Sequence, residues 1–215
     1  MKMSDLPRLR KEMEKILEPN RYEHTLSVAY TAANLAAVHG EDVHKALVAG
    51  VLHDCAKCLS HKKQTSLCEK YHIQLSEMEA DENSPLLHAK AGSVLAKEEY
   101  SVDDEDILNA ICYHTTGRPQ MSMLEKIIYI ADYIEPGRRH LKRFGEGAPM
   151  ERLTQIRQMS FRNLDEALYN ILGDTLNYLK EKGGKVDSLT RKTYEYYKKY
   201  QNNGIEQSER NTDNE

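Results

Sequence analysis

The sequence has no tryptophan, only two phenylalanines and no strong excess of charge of either sign. Its 215 residues carry 30 Lys and Arg against 34 Asp and Glu, a formal net charge of −4. This balance gives no general attraction to nucleic acids or to membrane surfaces. The mean hydropathy is −0.71. The longest uncharged apolar run has only about seven residues, which is too short for a membrane span.

Cysteine is also scarce, with four residues at positions 55, 58, 68 and 112. Four cysteines in a chain of this length do not indicate a disulfide framework, and the N-terminus lacks the apolar core of a signal peptide. These features favour the reducing cytosol. Cys55 and Cys58 have the spacing of half a zinc ribbon, but no second pair follows. A buried free thiol at Cys55 is therefore the favoured interpretation.

Strand patterns are nearly absent, because apolar residues recur at three- and four-residue steps almost throughout. All six prolines lie where helices would begin or end. The pattern predicts helices over 5–18, 20–39, 42–56, 61–71, 84–99, 104–115, 122–135, 149–160, 163–182 and 190–200. The predicted fold class is all-α, with one domain over residues 1–200 and a polar, disordered tail over 201–215.

Several residues predict where these helices begin, end and touch. Asn20 is expected to cap the second helix and Gly40 to end it, while Ser84 and Pro85 are expected to begin the fifth. Three glycines inside helical patterns indicate close helix–helix approach, since a missing Cβ lets backbones touch: Gly50, Gly92 and Gly173.

Histidine and aspartate occupy the apolar faces of several predicted helices. Asp132 is the clearest case, because Ile127 and Ile130 flank it and an unpaired buried carboxylate is very costly. One such histidine is more often an ordinary core residue, but four histidines and two aspartates on five helices favour a metal site. Neutral imidazole and carboxylate suit iron, manganese, zinc or cobalt, and a helical bundle can direct them inward. The six are His24, His53, Asp54, His88, His114 and Asp132.

The order of these residues resembles the HD superfamily of metal-dependent phosphohydrolases, in which a first His, a His–Asp doublet and a distant Asp hold one metal ion. The two histidines between the doublet and the final aspartate resemble the binuclear members. The segments similar to the YqeK-type branch are RYEHTLSVA (21–29), AGVLHDCAK (49–57), LLHAKAG (86–92), AICYHTTGRPQMSMLEKIIYIADYIEPGR (110–138) and TYEYY (193–197).

This resemblance implies a single HD-domain helical bundle that cleaves diadenosine tetraphosphate, and related dinucleoside polyphosphates, symmetrically to two ADP. It implies a binuclear metal centre that activates the attacking water, with Asp54 bridging the two ions. One ion would be held by His24, His53 and Asp132 and the other by His88 and His114. Iron is the expected metal, with manganese, cobalt or zinc as alternatives. The resemblance also makes a homodimer plausible.

By the same resemblance, the expected catalytic residues are Asp54, Lys57 and Arg118. Lys57 follows Asp54 by one helical turn, and guanidinium groups match phosphate geometry; ordinary solvated charge is the alternative. Glu135 could orient a ligand or a water, or form a cap-like bond. The expected nucleotide-binding residues are Arg21, His24, Asp54, Lys57, His88, His114, Thr115, Thr116, Arg118, Asp132, Tyr133 and Arg138.

Two alternatives stay open at this point. One is an HD phosphohydrolase that acts on another nucleotide, such as a monophosphate or a guanosine alarmone. The other is a nucleotide sensor that kept the pocket and lost turnover. The six intact candidate ligands favour an enzyme over the sensor.

Overall fold

The computed structural model of the chain describes residues 6–137 and 149–200, and within these ranges all regular structure is helical. The α-helices are α1 Leu6–Ile16, α2 Pro19–His39, α3 Val43–Leu52, α4 His61–Lys70, α5 Glu77–Ala80, α6 Leu87–Glu98, α7 Glu105–Tyr113, α8 Met123–Ile134, α9 Pro149–Ser160, α10 Leu164–Glu181 and α11 Ser188–Tyr197. Short 3-10 helices cover Cys55–Cys58 and Lys198–Tyr200. The predicted all-α class is confirmed.

None of the helices in these two ranges combines the length and the apolar character needed to cross a lipid bilayer. The tail expected over 201–215 lies outside the described residues.

The buried core is centred on α8, which packs against α2, α7 and α10. Its apolar side chains Leu124, Ile127, Ile128 and Ile130 are fully buried in this packing, and a capping box between Ser122 and Glu125 begins the helix. Helix α3 packs on α2, and α6 packs on α7. The ends of these helices meet on one side of the core, and this is where the polar residues of the next section lie.

Two of the predicted helix starts are wrong. Helix α2 begins at Pro19, so Asn20 is not its cap. Proline suits the first helical position because its ring fixes φ and the missing N–H would have no partner there. Helix α6 begins at Leu87, after Ser84 Oγ accepts a hydrogen bond from the Leu86 N–H at 3.2 Å. Gly40 does end α2, with a φ of +73°.

The helix predicted over 42–56 is also wrong at its end, since α3 stops at Leu52. Asp54 has φ −105° and ψ 14°, which breaks the helix before the 3-10 turn begins at Cys55. The apolar pattern did not reveal this break because burial continues through it, at Leu52, Cys55 and Ala56. The break turns Asp54 out of the helical path.

At only one of the three glycines, Gly50, is there no room for the Cβ of an alanine. A Cβ added to Gly50 would lie 2.5 Å from Ala29 Cα, which confirms the expected close approach of α3 to α2. The same atom at Gly92 or Gly173 would make contacts of 3.4 Å and 3.5 Å with side chains. Close approach was therefore the wrong interpretation for those two positions.

Candidate metal centre

The six predicted ligands come from separate segments and meet at one place in the fold. Helix α2 carries His24, and the turn after α3 carries His53 and Asp54. His88 lies in the first turn of α6, His114 directly follows α7, and Asp132 is on α8. His24 is half-buried, and the other three histidines and Asp54 are buried.

Asp54 lies between two groups of imidazoles, with one carboxylate oxygen toward each. Its Oδ2 is 3.9 Å from His24 Nε2 and 3.6 Å from His53 Nε2. Its Oδ1 is 3.2 Å from His88 Nε2 and 3.7 Å from His114 Nε2. The described residues thus contain two sets of donor atoms close enough to hold a metal ion, and Asp54 belongs to both.

Asp132 adds a second carboxylate to only one of these sets. Its Oδ1 is 3.0 Å from His24 Nε2 and 3.9 Å from His53 Nε2. Two carboxylates, those of Asp54 and Asp132, therefore lie within 4 Å of His24 Nε2 and His53 Nε2, whereas Asp54 is the carboxylate described within 4 Å of His88 Nε2 and His114 Nε2.

Backbone carbonyls fix the orientation of two of the imidazole rings. His53 Nδ1 is 2.7 Å from the Gly50 carbonyl, and His114 Nδ1 is 2.7 Å from the Ile111 carbonyl. A carbonyl can only accept, so Nδ1 carries the proton in both rings. In the neutral ring, Nε2 then keeps its lone pair and points into the centre.

The electrostatics of the centre favour the protonation states that bind metals. Burial lowers the pKa of His53 to about 4, and burial likewise lowers the pKa of His88 to about 4. Burial alone would raise the pKa of Asp54, but the imidazoles around it hold that pKa well below its usual range. Neutral imidazoles at His53 and His88 are therefore the expected state at neutral pH.

A buried atom in the centre fits a metal ion better than any other partner. His53 is completely buried, and its Nε2 makes no hydrogen bond within the described structure. A buried polar atom without a partner is costly, and the Nδ1 proton excludes Nε2 as a donor in the neutral ring. A cation coordinated by this lone pair would remove the cost.

Two charged residues contact the predicted ligands. Glu135 Oε1 is 3.2 Å from His24 Nδ1, a contact that fits the ligand-orienting role expected for it. Arg21 Nη1 donates to Asp54 Oδ2 at 2.9 Å, which is the aspartate pairing considered for it.

An open cavity of about 750 Å³ lies beside the centre. Its basic residues are Arg21 and Lys57, and Lys57 is placed there by the 3-10 turn that follows Asp54. Apolar and polar side chains from the α1–α2 junction form another part of the wall: Ile16, Leu17, Glu18 and Asn20.

The junction residues were missed in the sequence because their pattern is that of an ordinary helix end. Pro19, which restricts the chain between the two helices, was the available signal. The carbonyls that orient His53 and His114 had no signal in the sequence, since every residue has a carbonyl.

The other residues predicted to bind the nucleotide are not described at the centre. Arg118 makes a two-point ion pair with the buried Glu125, at 2.7 Å and 3.1 Å, and its guanidinium lies over the Tyr113 ring. The buried Thr116 hydroxyl donates to the Gly117 carbonyl, and Tyr133 is a buried member of the core. Thr115 is half-buried, and Arg138 lies outside the described residues.

The cysteines near the centre are not part of it. Cys55 is buried and free, as expected, and burial raises its pKa above the usual thiol range. Cys58 is exposed and free. Neither belongs to a group of described residues that could hold a metal ion.

Comparison with known proteins gives one family and several similar chains. The HD domain family model matches residues 21–137. Two relatives are each named "Bis(5'-nucleosyl)-tetraphosphatase, symmetrical". The one from Bacillus subtilis is 38% identical over 84% of this chain and 90% of its own length. The one from Staphylococcus aureus is 36% identical over 92% of this chain and 95% of its own length.

A solved structure has the same architecture. It is the crystal structure of a "predicted HD superfamily hydrolase involved in NAD metabolism" from Clostridium acetobutylicum. The two superpose with a TM-score of 0.81 at 40% identity, over 90% of this chain and 97% of that one.

Proposed function

This chain belongs to the HD domain family, and from that membership we propose that it hydrolyses diadenosine tetraphosphate and related dinucleoside polyphosphates symmetrically. The products are two nucleoside diphosphates, two ADP from the adenosine substrate. The observation that carries the proposal is the position of Asp54, whose two oxygens face two different pairs of imidazoles. Such an arrangement suits two cations on either side of a phosphoryl group.

We propose a binuclear centre that takes iron, with manganese, cobalt or zinc as alternatives. One ion would be held by His24, His53, Asp54 and Asp132, and the other by His88, His114 and Asp54. When bound, two such ions lower the pKa of a water and neutralise charge on phosphoryl oxygens. The borderline ligand set of imidazole and carboxylate accepts all four metals, so the choice among them needs a measurement.

The residues at the cavity bind and position the polyphosphate. Lys57 and Arg21 lie on the cavity wall, and both bring positive charge toward the phosphate chain beside Asp54. Because a nucleoside diphosphate is a good leaving group, positioning and charge neutralisation supply most of the catalysis, and no general acid is required. The apolar side chains of Ile16 and Leu17 offer a surface for a nucleoside.

Arg118 remains a proposed phosphate contact, together with the hydroxyls of Thr115 and Thr116. Arg118 presents a side chain that is 35% exposed, and Glu125 fixes its direction through two hydrogen bonds. A guanidinium held in this way keeps N–H groups available for a second anion, since it has five donors. Tyr133 and Arg138 complete the proposed nucleotide-binding residues.

We further propose that the protein works in the cytosol as a homodimer, with nucleotides rather than nucleic acids as partners. The four free cysteines support the cytosol, and the small net charge supports nucleotides over nucleic acids as partners. The homodimer rests on the family resemblance.

Metal content and product identity test the proposed function. The full chain is loaded with iron or manganese, its metal content is measured, and diadenosine tetraphosphate turnover is followed by chromatography of the products. The expected result is two ions per chain and ADP as the sole nucleotide product. ATP and AMP would show asymmetric cleavage and contradict the proposal, and nucleotide binding without ADP release would identify a sensor.

Asp54→Ala is the decisive variant, and Asp174→Ala is its control. The carboxylate of Asp174 also forms an ion pair, with Arg152 Nε at 2.9 Å. That ion pair links α10 to α9 and includes none of the predicted metal ligands. Asp54→Ala should lose metal and turnover while its circular dichroism stays helical, and Asp174→Ala should keep both. Near-normal turnover in Asp54→Ala would exclude the bridging role.

A further inference from the structure

Three histidines of the candidate centre have a described Nδ1 partner, and these partners differ in charge. His53 and His114 donate to the neutral carbonyls of Gly50 and Ile111. His24 instead has the carboxylate of Glu135 at 3.2 Å from its Nδ1. A carboxylate behind an imidazole holds the Nδ1 proton strongly, fixes the ring and makes Nε2 a better donor to a cation than a carbonyl does.

Glu135 is itself held firmly, so its contact with His24 is not a chance surface contact. Its side chain is only 2% exposed. The Gly137 N–H donates to Oε2, which leaves Oε1 for His24. Arg157 of α9 donates to the carbonyls of Ile134 and Glu135, at 2.8 Å and 3.0 Å, and so fixes the end of α8.

The same end of α8 also carries Asp132, one turn before Glu135. Asp132 lies on the Nε2 side of His24, at 3.0 Å, while Glu135 lies on the Nδ1 side. One helix end therefore places two carboxylates around a single imidazole. Among the ion pairs of the described residues, the carboxylate within 4 Å of His88 Nε2 and His114 Nε2 is that of Asp54 alone.

We propose that Glu135 is a positioning residue that makes the His24 side of the centre the tighter of two unequal metal positions. This inference rests on the proposed metal centre and adds the order in which its two positions fill. The His24 position fills first, supported by Glu135, and the position at His88 and His114 fills second and exchanges more readily. Fewer protein donors at the second position leave more of its coordination sphere open to substrate.

The test is a calorimetric titration of the metal-free full chain with Mn²⁺, without any nucleotide. The wild type should show two binding steps of unequal affinity. Glu135→Gln keeps the size of the side chain and removes its charge, and it should weaken the tighter step by about 10- to 100-fold while the weaker step stays unchanged. Glu135→Asp, which keeps the charge at a shorter reach, should restore part of the loss.

Glu79→Gln is the matched control, because Glu79 is also a buried carboxylate that accepts hydrogen bonds at a helix end, from Ser76 N–H at 2.7 Å and Lys90 Nζ at 2.6 Å. It should lower thermal stability and leave both binding steps as in the wild type. A merely structural role for Glu135 would give the same pattern in both variants.

Three results overturn the proposal: two equal steps in the wild type, an equal loss in both steps of Glu135→Gln, or no loss in either. If Glu135→Gln does not fold, the same criteria apply to Glu135→Asp, which should weaken the tighter step alone. Because no substrate is present, the outcome is independent of which nucleotide is cleaved. An ordered pair of Mn²⁺ sites without diadenosine tetraphosphate turnover would refute the proposed function and leave this inference standing.

Discussion

Replacing Gly50 with alanine tests whether the contact between α2 and α3 sets the spacing of the metal ligands. The added Cβ would lie 2.5 Å from Ala29 Cα and 3.1 Å from Ala29 Cβ. Because Ala29 Cα is backbone, no rotamer change can relieve the contact, and α3 must move away from α2. The Gly50 carbonyl accepts the hydrogen bond from His53, so the movement is passed directly to that ligand.

The magnitude follows from two opposing effects. Restoring an ordinary carbon–carbon distance of about 3.5–4 Å requires a shift of roughly 1 Å. Overpacking costs about 1–3 kcal/mol, and the upper end applies here because the contact is with backbone. Alanine recovers roughly 1 kcal/mol of helix propensity relative to glycine. The expected net loss in the free energy of unfolding is therefore about 2 kcal/mol.

Gly173→Ala is the control, because it has the same chemistry inside α10 and meets Tyr194 Cε2 at an ordinary 3.5 Å. It should gain roughly 0.5–1 kcal/mol. Urea unfolding of the metal-free chains gives both free energies, and a Mn²⁺ titration should show weaker binding only in Gly50→Ala. The reasoning is refuted if Gly50→Ala is as stable as the wild type, or if both variants shift in the same direction.

Two further predictions concern stability and thiol reactivity. Asp104 caps α7, and its Oδ2 lies 2.8 Å from Lys45 Nζ. Burial alone would raise the pKa of Asp104, but hydrogen bonds from Lys45 and from two backbone N–H groups lower it. A carboxylate whose pKa is lower in the folded state stabilises the fold at every pH above its unfolded-state pKa. In urea unfolding at pH 7, Asp104→Asn should therefore lower the free energy of unfolding by up to about 1 kcal/mol. That difference should vanish as the pH falls through the folded-state pKa of Asp104, and an unchanged difference at low pH would contradict the ion pair. In the native chain at neutral pH, a thiol reagent should label the exposed Cys58 and leave the buried Cys55 unmodified, as read by peptide mass; equal labelling would show that the turn after Asp54 opens.

The sequence predicted the helices well where the apolar period and the helix ends agree. The predicted helix over 149–160 has the observed limits of α9, and Gly40 marks the end of α2. The missed helix α5 also had a signal, because Ser76 and Glu79 have the spacing of a capping box and form one. Its length of four residues hid it, since one turn has no apolar period.

The residues that meet in the candidate metal centre could be predicted from the sequence, but their geometry could not. A histidine or an aspartate on an apolar face can be recognised in the sequence because a buried polar side chain needs a partner. His24 and Asp132 are two such residues. The helix predicted through Asp54 would have placed that carboxylate on a regular face of α3. No glycine or proline follows Leu52 to mark the end of α3, and the apolar pattern continues past it at Cys55 and Ala56.

The break after α3 explains how adjacent residues can serve different parts of one centre. On a continuous helix, His53 and Asp54 would point about 100° apart, and one of them would leave the site. Asp54 instead has a ψ of 14°, and its carboxylate comes within 4 Å of all four imidazoles. His53 keeps helical dihedrals and uses them to reach the Gly50 carbonyl three residues back. The doublet therefore needs α3 to end before Asp54, and a substitution that extends α3 through Asp54 would disrupt the centre without removing any predicted ligand.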